Sequence, residues 1–188
     1  VPIREDNSCV WGAIDIDTYP LKHDDLVERL VKRNELPFVV ARSKSGGAHV
    51  FCFVSEPVSA STMQTKLKEI ASALGYGTAE IFPKQTKLLL EKGDRGNILN
   101  MPYFGGSSST RYCHNDDGEG ILDLDEFITH CKSKQITKRE LENLTAKAIN
   151  TADSDPDLEG SPPCLRSLCV MGFPEGTRHN GLFSCGVY

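Results

Sequence analysis

Long apolar runs are missing from this chain of 188 residues. None approaches the roughly 20 residues that a membrane-spanning helix needs, so no membrane partner is expected. The first residues, VPIREDNS, contain no apolar signal core and no Met. They read as the start of an excised part of a cytoplasmic protein. Paired thiols are also missing: the seven cysteines form no CxxC, which excludes the usual zinc ribbons and dithiol redox motifs. Cys9 and Cys52 lie in or beside apolar strand-like runs and read as small buried thiols in a reducing compartment. Aromatic residues are only 7% of the chain, few for a sheet that reads nucleic acid by stacking alone. An excess of positive charge is absent too, the formal net charge being −5.

The distribution of charge changes that picture. Residues 1–112 hold 14 Lys+Arg against 13 Asp+Glu, a net of +1, whereas residues 113–188 hold 7 against 13, a net of −6. The acid is concentrated towards the end, and a local basic surface remains open to the first part. With 39% hydrophobic residues, the chain has enough apolar material for one domain, or one domain and a fragment of a second.

Periodicity predicts an ordered α+β unit. Residues 9–17, CVWGAIDID, alternate as a strand, with Val10, Ile14 and Ile16 on one face and Trp11, Ala13, Asp15 and Asp17 on the other. A helix is predicted over 24–34, with Asp24 as N-cap and Leu26, Val27, Leu30 and Val31 on its apolar face. Strands at 36–42 and 48–54 flank the turn SKSGG, a hairpin signal, and Pro57 is expected to end the second. A helix over 62–74 carries Met63, Leu67, Ile70, Ala71 and Leu74 and stops at Gly75. A short strand at 79–82, a basic turn-rich loop at 83–97 and an extended apolar run at 97–103 follow. After the polar loop 105–117 comes a short helix at 123–132. The order strand–helix–strand–strand–helix–strand fits a sandwich built on a small antiparallel sheet, similar to the split βαβ arrangement.

Beyond residue 132 the character shifts. Residues 133–150 carry a weak helical stripe, 151–163 form an acidic linker with Pro and Gly, and a last helix is predicted from Pro163. The expected division is therefore a main domain at 1–132, a helix and linker at 133–163, and the truncated start of a helical domain at 164–188.

Three groups of residues suggest chemistry. Asp15 and Asp17, two residues apart on a strand, would project from one face with Cα atoms about 6.5–7 Å apart. Such a pair can hold two divalent cations, as phosphoryl transfer requires. The alternative is a strand ending at Ile14, with both carboxylates in a turn. The segment Arg42-Ser43-Lys44-Ser45-Gly46-Gly47-Ala48-His49 offers backbone N–H groups and cationic or hydroxyl donors that can cradle phosphate. His49 there is either a phosphate contact or a hydrogen-bonded structural residue. Glu80 alternates with Phe82 and is either a third carboxylate on the same face or a solvated edge residue. The loop after it interleaves Lys84, Lys87, Lys92 and Arg95 with turn residues. It suits a nucleic-acid backbone, or is a plain solvated loop.

In this order DID at 15–17, RSKSGGAH at 42–49, EIFPKQ at 80–85, GNILNMPYF at 96–104 and TRY at 110–112 closely resemble the archaeo-eukaryotic primase superfamily. The similarity covers roughly residues 9–130 and is best with primase–polymerases of bacteriophages and mobile elements. The resemblance implies an RRM-like antiparallel sheet core and template-directed nucleotidyl transfer on single-stranded DNA. It implies Mg²⁺ or Mn²⁺, two ions, held by Asp15, Asp17 and Glu80, although many members carry Asp at the third position. His49 joins these acids as a catalytic residue. Nucleoside triphosphates would meet Arg42, Ser43, Ser45, Gly46, Gly47, His49 and Lys84, with either Ser43 or Ser45 on phosphate. The template would meet Gln85, Lys87, Arg95, Asn97 and Arg111. A replicative helicase is the further partner such enzymes suggest.

The tail at 161–183 resembles the helical C-terminal domain that follows many phage primase cores. It also resembles the opening of the primase large-subunit domain, where Pro-Cys begins an iron–sulfur ligand set and Cys164 would take that place. Cys169 and Cys185 complete no recognised spacing, and no cluster is expected within this chain. Two other functions stay open on the residues alone. One is an RRM-like single-strand binder whose acids are structural. The other is a nuclease using the same acids for metal.

Overall fold

The computed structural model of the protein describes residues 1–147. The linker expected at 151–163, the helix expected from Pro163 and the site expected at Cys164 lie outside the described residues. Four strands form one antiparallel sheet in the order β2-β3-β1-β4. They are β1 (Ser8–Ile16), β2 (Phe38–Arg42), β3 (Ala48–Ser59) and β4 (Glu80–Phe82). Helix α1 (His23–Val27) continues as a π-helical turn over Glu28–Arg33. Helix α2 (Ala60–Ala73) connects β3 to β4. The unit is thus α+β, as its alternating patterns predict.

Period-2 alternation divides the side chains of the sheet between two faces. Ile14, Ile16, Val40, Val50, Cys52 and Val54 join Leu26, Leu30, Met63, Leu67 and Ile70 in the main core. That face carries α1 and α2. Gly12 lets α2 come close, since a Cβ there would lie 2.6 Å from Met63 Cγ. The α2 helix begins where Ser59 Oγ accepts the Thr62 N–H at 3.1 Å, satisfying one of the free donors of its first turn.

The opposite face is not open. Ala13, Val39, Ala41, Phe51 and Phe82 pack against Leu99, Cys113 and Phe127, with Trp11, Phe53, Tyr103 and Leu122 at the margin. Helix α3 (Leu124–Ser133) supplies Phe127 and is fixed at its start by a capping box between Asp123 and Glu126. A second capping box, Thr137 with Glu140, starts α4 (Lys138–Asn143). Ile136 and the fully buried Leu141 enter the main core, so continuous packing runs past residue 132.

Four local expectations need correction. A bulge lies between Cys9 and Trp11 on β1. It puts Cys9 in the helix-side core and leaves Val10 38% exposed, so Val10 does not share the face of Ile14. Pro57 lies inside β3 rather than ending it. The β2 pairing stops at Cys52, so the missing Pro57 N–H deprives no β2 partner. Lys22, not Asp24, is the N-cap of α1. Residues 97–103 form no strand; Leu99 and Pro102 are buried, while Ile98 and Met101 are exposed.

Cys9, Cys52 and Cys113 are buried and free, and Cys131 is free and half-buried. Burial pushes the thiols of Cys9, Cys52 and Cys131 up to about 12, which suits inert core residues. No helix among the described residues is long and apolar enough to cross a membrane.

Candidate active site

Asp15 occupies the middle strand and faces two chemically relevant neighbours. In the ladder it pairs with His49 of β3 on one side and with Glu80 of β4 on the other. Directly opposed residues share a face, so three strands deliver these side chains to one place. His49 Nε2 lies 3.4 Å from Asp15 Oδ1. That oxygen is buried and accepts no hydrogen bond.

This is an expensive position for a carboxylate. Burial, then the charges of Asp17 and Glu80, push Asp15 up to about 6, with Lys84 opposing them. His49 is shifted the other way: burial lowers its affinity for a proton, although a hydrogen bond to the Asn100 backbone and the charge of Asp17 partly offset this. The charge of Arg111 acts with burial. The imidazole is therefore held towards its neutral form.

The strand ends at Ile16, one residue before Asp17. Asp17 is exposed and accepts a 2.8 Å hydrogen bond from the Tyr19 hydroxyl. Tyr19 also shares a side-chain hydrogen bond with Ser45. Its hydroxyl thus sits between the end of the acidic strand and the glycine turn, a juxtaposition that no sequence periodicity reveals.

The turn 43–47 closes through Ser43 N–H to the Gly47 carbonyl at 2.8 Å and Gly46 N–H to the Ser43 carbonyl at 3.2 Å. Gly46 has φ of +97°. Gly47 is pressed against the end of β1: a Cβ there would lie 2.3 Å from the Ile16 carbonyl oxygen. Of the two candidate serines, Ser43 is buried with its Oγ unpartnered, while Ser45 is exposed. Arg42 braces the turn, one guanidinium nitrogen donating to the Ser43 carbonyl at 3.2 Å and to the Thr110 carbonyl at 3.0 Å.

The sequence reading missed a further brace. His23 Nε2 lies 3.0 Å from the Gly47 carbonyl, and its ring stacks on His114 with centroids 5.0 Å apart. His114 in turn meets the edge of Tyr112, and Tyr112 lies beneath Arg42. These residues come from three segments of the chain, so only the folded geometry brings them together.

Other expected site residues sit less centrally. Glu80 forms an ion pair with Lys84, whose ammonium also lies 5.1 Å from the Phe82 ring centre. Gln85 Oε1 accepts the Asn97 N–H at 3.2 Å and so ties the loop to itself. Lys87, Arg95 and Asn97 are exposed, and no contact brings them to the acids. Arg111 reaches the site, its guanidinium lying over Phe104 and its charge acting on His49.

The metal question turns on these contacts. Asp15 and Asp17 offer hard oxygen donors, and the unpartnered, charge-crowded Asp15 is suited to a divalent cation. Glu80 is engaged by Lys84 and completes no ready-made set. Among the described residues, no group of three or more His, Cys, Asp or Glu side chains is arranged to hold a metal. The residues thus fit a site that a cation and its bound phosphates would finish.

The fold and this corner define the class: an α+β protein with an acid-bearing central strand set against a glycine turn. Residues 1–144 match the family described as TOTE conflict system, Archaeo-Eukaryotic Primase domain, and the chain belongs to that family. The archaeo-eukaryotic primase resemblance of its motifs is thereby established, and its mobile-element character accords with a conflict-system family. Such domains are nucleotidyltransferases as a class, usually dependent on divalent metals. Comparison with curated proteins gave no match.

Proposed function

We propose that the chain is a primase–polymerase that joins nucleotides on single-stranded DNA by a two-metal mechanism, serving a TOTE conflict system. The observation that carries this reading is the register of Asp15 between His49 and Glu80, beside a glycine turn that abuts the same strand end. The strand order β2-β3-β1-β4, with α1 and α2 on one face, supports the RRM-like character of the core, to which α3 on the other face is an addition. Against a pure stacking module stands the burial of Phe51 beneath Leu99, Cys113 and Phe127, which removes the centre of any open aromatic platform.

Asp15 and Asp17 would hold Mg²⁺ or Mn²⁺, with Glu80 joining once released from Lys84. Bound divalent ions supply Lewis acidity, which makes a primer 3′-hydroxyl a better nucleophile and neutralises the departing pyrophosphate. Neutral His49, exposed Ser45 and the turn backbone orient the triphosphate. Lys84, freed from Glu80, adds a cation for phosphate oxygens. Tyr19 keeps Asp17 and Ser45 in fixed relation, and His23 with Arg42 holds the turn closed. Arg111 and the exposed Lys87 and Arg95 face the strand backbone.

The deciding experiment follows labelled primer–template and labelled single strand with Mg²⁺ or Mn²⁺ and all nucleotides. Lengthened primers support this proposal; shortened strands would mean a nuclease, and no change in either would leave only binding. The role of His49 has its own test. His49→Ala should raise the nucleotide KM about 10-fold or more, the usual cost of a lost hydrogen bond to a charged group. Template affinity in a fluorescence assay should stay within about twofold. Lost template affinity with an ordinary nucleotide KM would show the role to be misassigned.

A further inference from the structure

One aromatic ring near the site is displayed rather than buried. Phe104 is 78% exposed, although aromatic side chains of this size normally bury most of their surface. Its presentation is built into the backbone. Tyr103, just before it, takes the left-handed conformation with φ of +57°, a costly state for a non-glycine residue. The Tyr103 hydroxyl donates to the Leu122 carbonyl at 2.5 Å and accepts the Cys113 N–H at 3.0 Å, which anchors the strained residue. Gly105 and Gly106 follow with φ of +96° and +79°, and a Cβ at either would meet nothing. The Tyr103 N–H donates to the Arg111 carbonyl at 2.7 Å, and the Arg111 guanidinium lies 5.7 Å from the Phe104 ring centre.

We propose that Phe104, with Arg111 beside it, is a stacking platform for an unpaired base of single-stranded nucleic acid; this rests on the primase reading of the neighbouring site. The chemistry selects this occupant. A ring with a guanidinium on it offers a π surface for a base and a cation for the adjoining phosphate. A lipid tail or an apolar protein surface would gain nothing from that cation. The site lies near the reaction centre, because the Arg111 charge acts on the His49 imidazole. A strand suits it better than a lone nucleotide. Ile98, Met101 and Phe104 are exposed in chain order between the cations Arg95 and Arg111, giving contacts for successive bases rather than one.

The test uses the whole chain without metal or nucleotide. Fluorescence anisotropy measures the affinity for labelled oligo-dT of about a dozen nucleotides, the scale of a single-strand site. An abasic strand of the same length is the control. Phe104→Ala should weaken oligo-dT binding about 5- to 100-fold, leave abasic binding within about twofold, and be rescued by Phe104→Trp. Unchanged oligo-dT affinity in Phe104→Ala, or equal losses for both strands, would overturn the platform. If wild type extends primers but Phe104→Ala binds as wild type, the platform alone falls. If wild type extends nothing yet distinguishes the two strands through Phe104, the primase reading falls and the platform stands.

Discussion

Asp15→Asn should abolish nucleotide incorporation, by at least about 100-fold, and at the same time raise the thermal stability of the metal-free protein. The loss follows from removing a metal-binding charge from the strand centre, where several kcal/mol of transition-state stabilisation are at stake. The gain follows from the same geometry. Asp15 is 15% exposed, and burial with the charges of Asp17 and Glu80 raises it from 3.8 to about 6. A shift of this size corresponds to at most on the order of 3 kcal/mol against the ionised fold. An amide avoids that cost and can offer an N–H towards His49 Nε2, now 3.4 Å from Asp15 Oδ1. A Tm higher by about 3–8 °C is the expected reading at neutral pH in chelator.

The pH dependence has a defined sign. The folded protein binds the Asp15 proton more tightly than the unfolded chain does, so wild type loses stability as pH rises from about 4 through about 6. Wild type and Asp15→Asn should therefore melt together near pH 4 and separate above it. Asp17→Asn should lose comparable activity, while its exposed side chain gives no reason for a matching rise in Tm. Near-wild-type incorporation by either variant would refute the metal assignment. A destabilised Asp15→Asn would instead refute the account of charge crowding.

What the sequence makes legible here is what local periodicity encodes. Asp15 on β1, the glycine hairpin and the apolar face of α2 each follow from neighbours within a few residues and appear in the structure as expected, whereas Asp17 lies one residue past the end of the strand. Other features depend on distant partners. The bulge that turns Val10 outward needs the register of β3 against β1. Pro57 is tolerated within β3 because β2 has already ended, which no local rule foresees. The covered second face arises from Leu99, Cys113 and Phe127, scattered through an extended run, a polar loop and a short helix whose joint packing no local pattern encodes. Tyr19, His23 and His114 are site-bracing residues whose roles come from contacts across the fold. A single His or Tyr beside a turn carries no such signal.

Gly47→Ala should be the most damaging single-methyl change in the turn, and its comparison with Gly46 tests why. At Gly46 the difficulty is conformational: φ is +97°, while a Cβ would meet only Arg42 Nη2 at 3.4 Å. Alanine there should cost about 1–2 kcal/mol, and asparagine less, because it tolerates the left-handed region better. At Gly47 the difficulty is contact. The added carbon would lie 2.3 Å from the Ile16 carbonyl oxygen, a backbone atom that no rotamer change can move. Either β1 or the turn must shift by about 1 Å, and an overpacked backbone of this kind costs about 2–4 kcal/mol. The Gly47 carbonyl also receives Ser43 N–H and His23 Nε2, so displacement loosens both braces. Ser45 then moves away from Tyr19 and Asp17, and the turn loses its relation to the acids. The expected result is a Tm lowered by about 6–15 °C and nucleotide affinity reduced more than 10-fold, with Gly46→Asn close to wild type in both. If Gly47→Ala melts like wild type, the turn is not seated on the end of β1. If it melts low but binds nucleotide normally, the turn supports the fold and takes no part in holding the triphosphate.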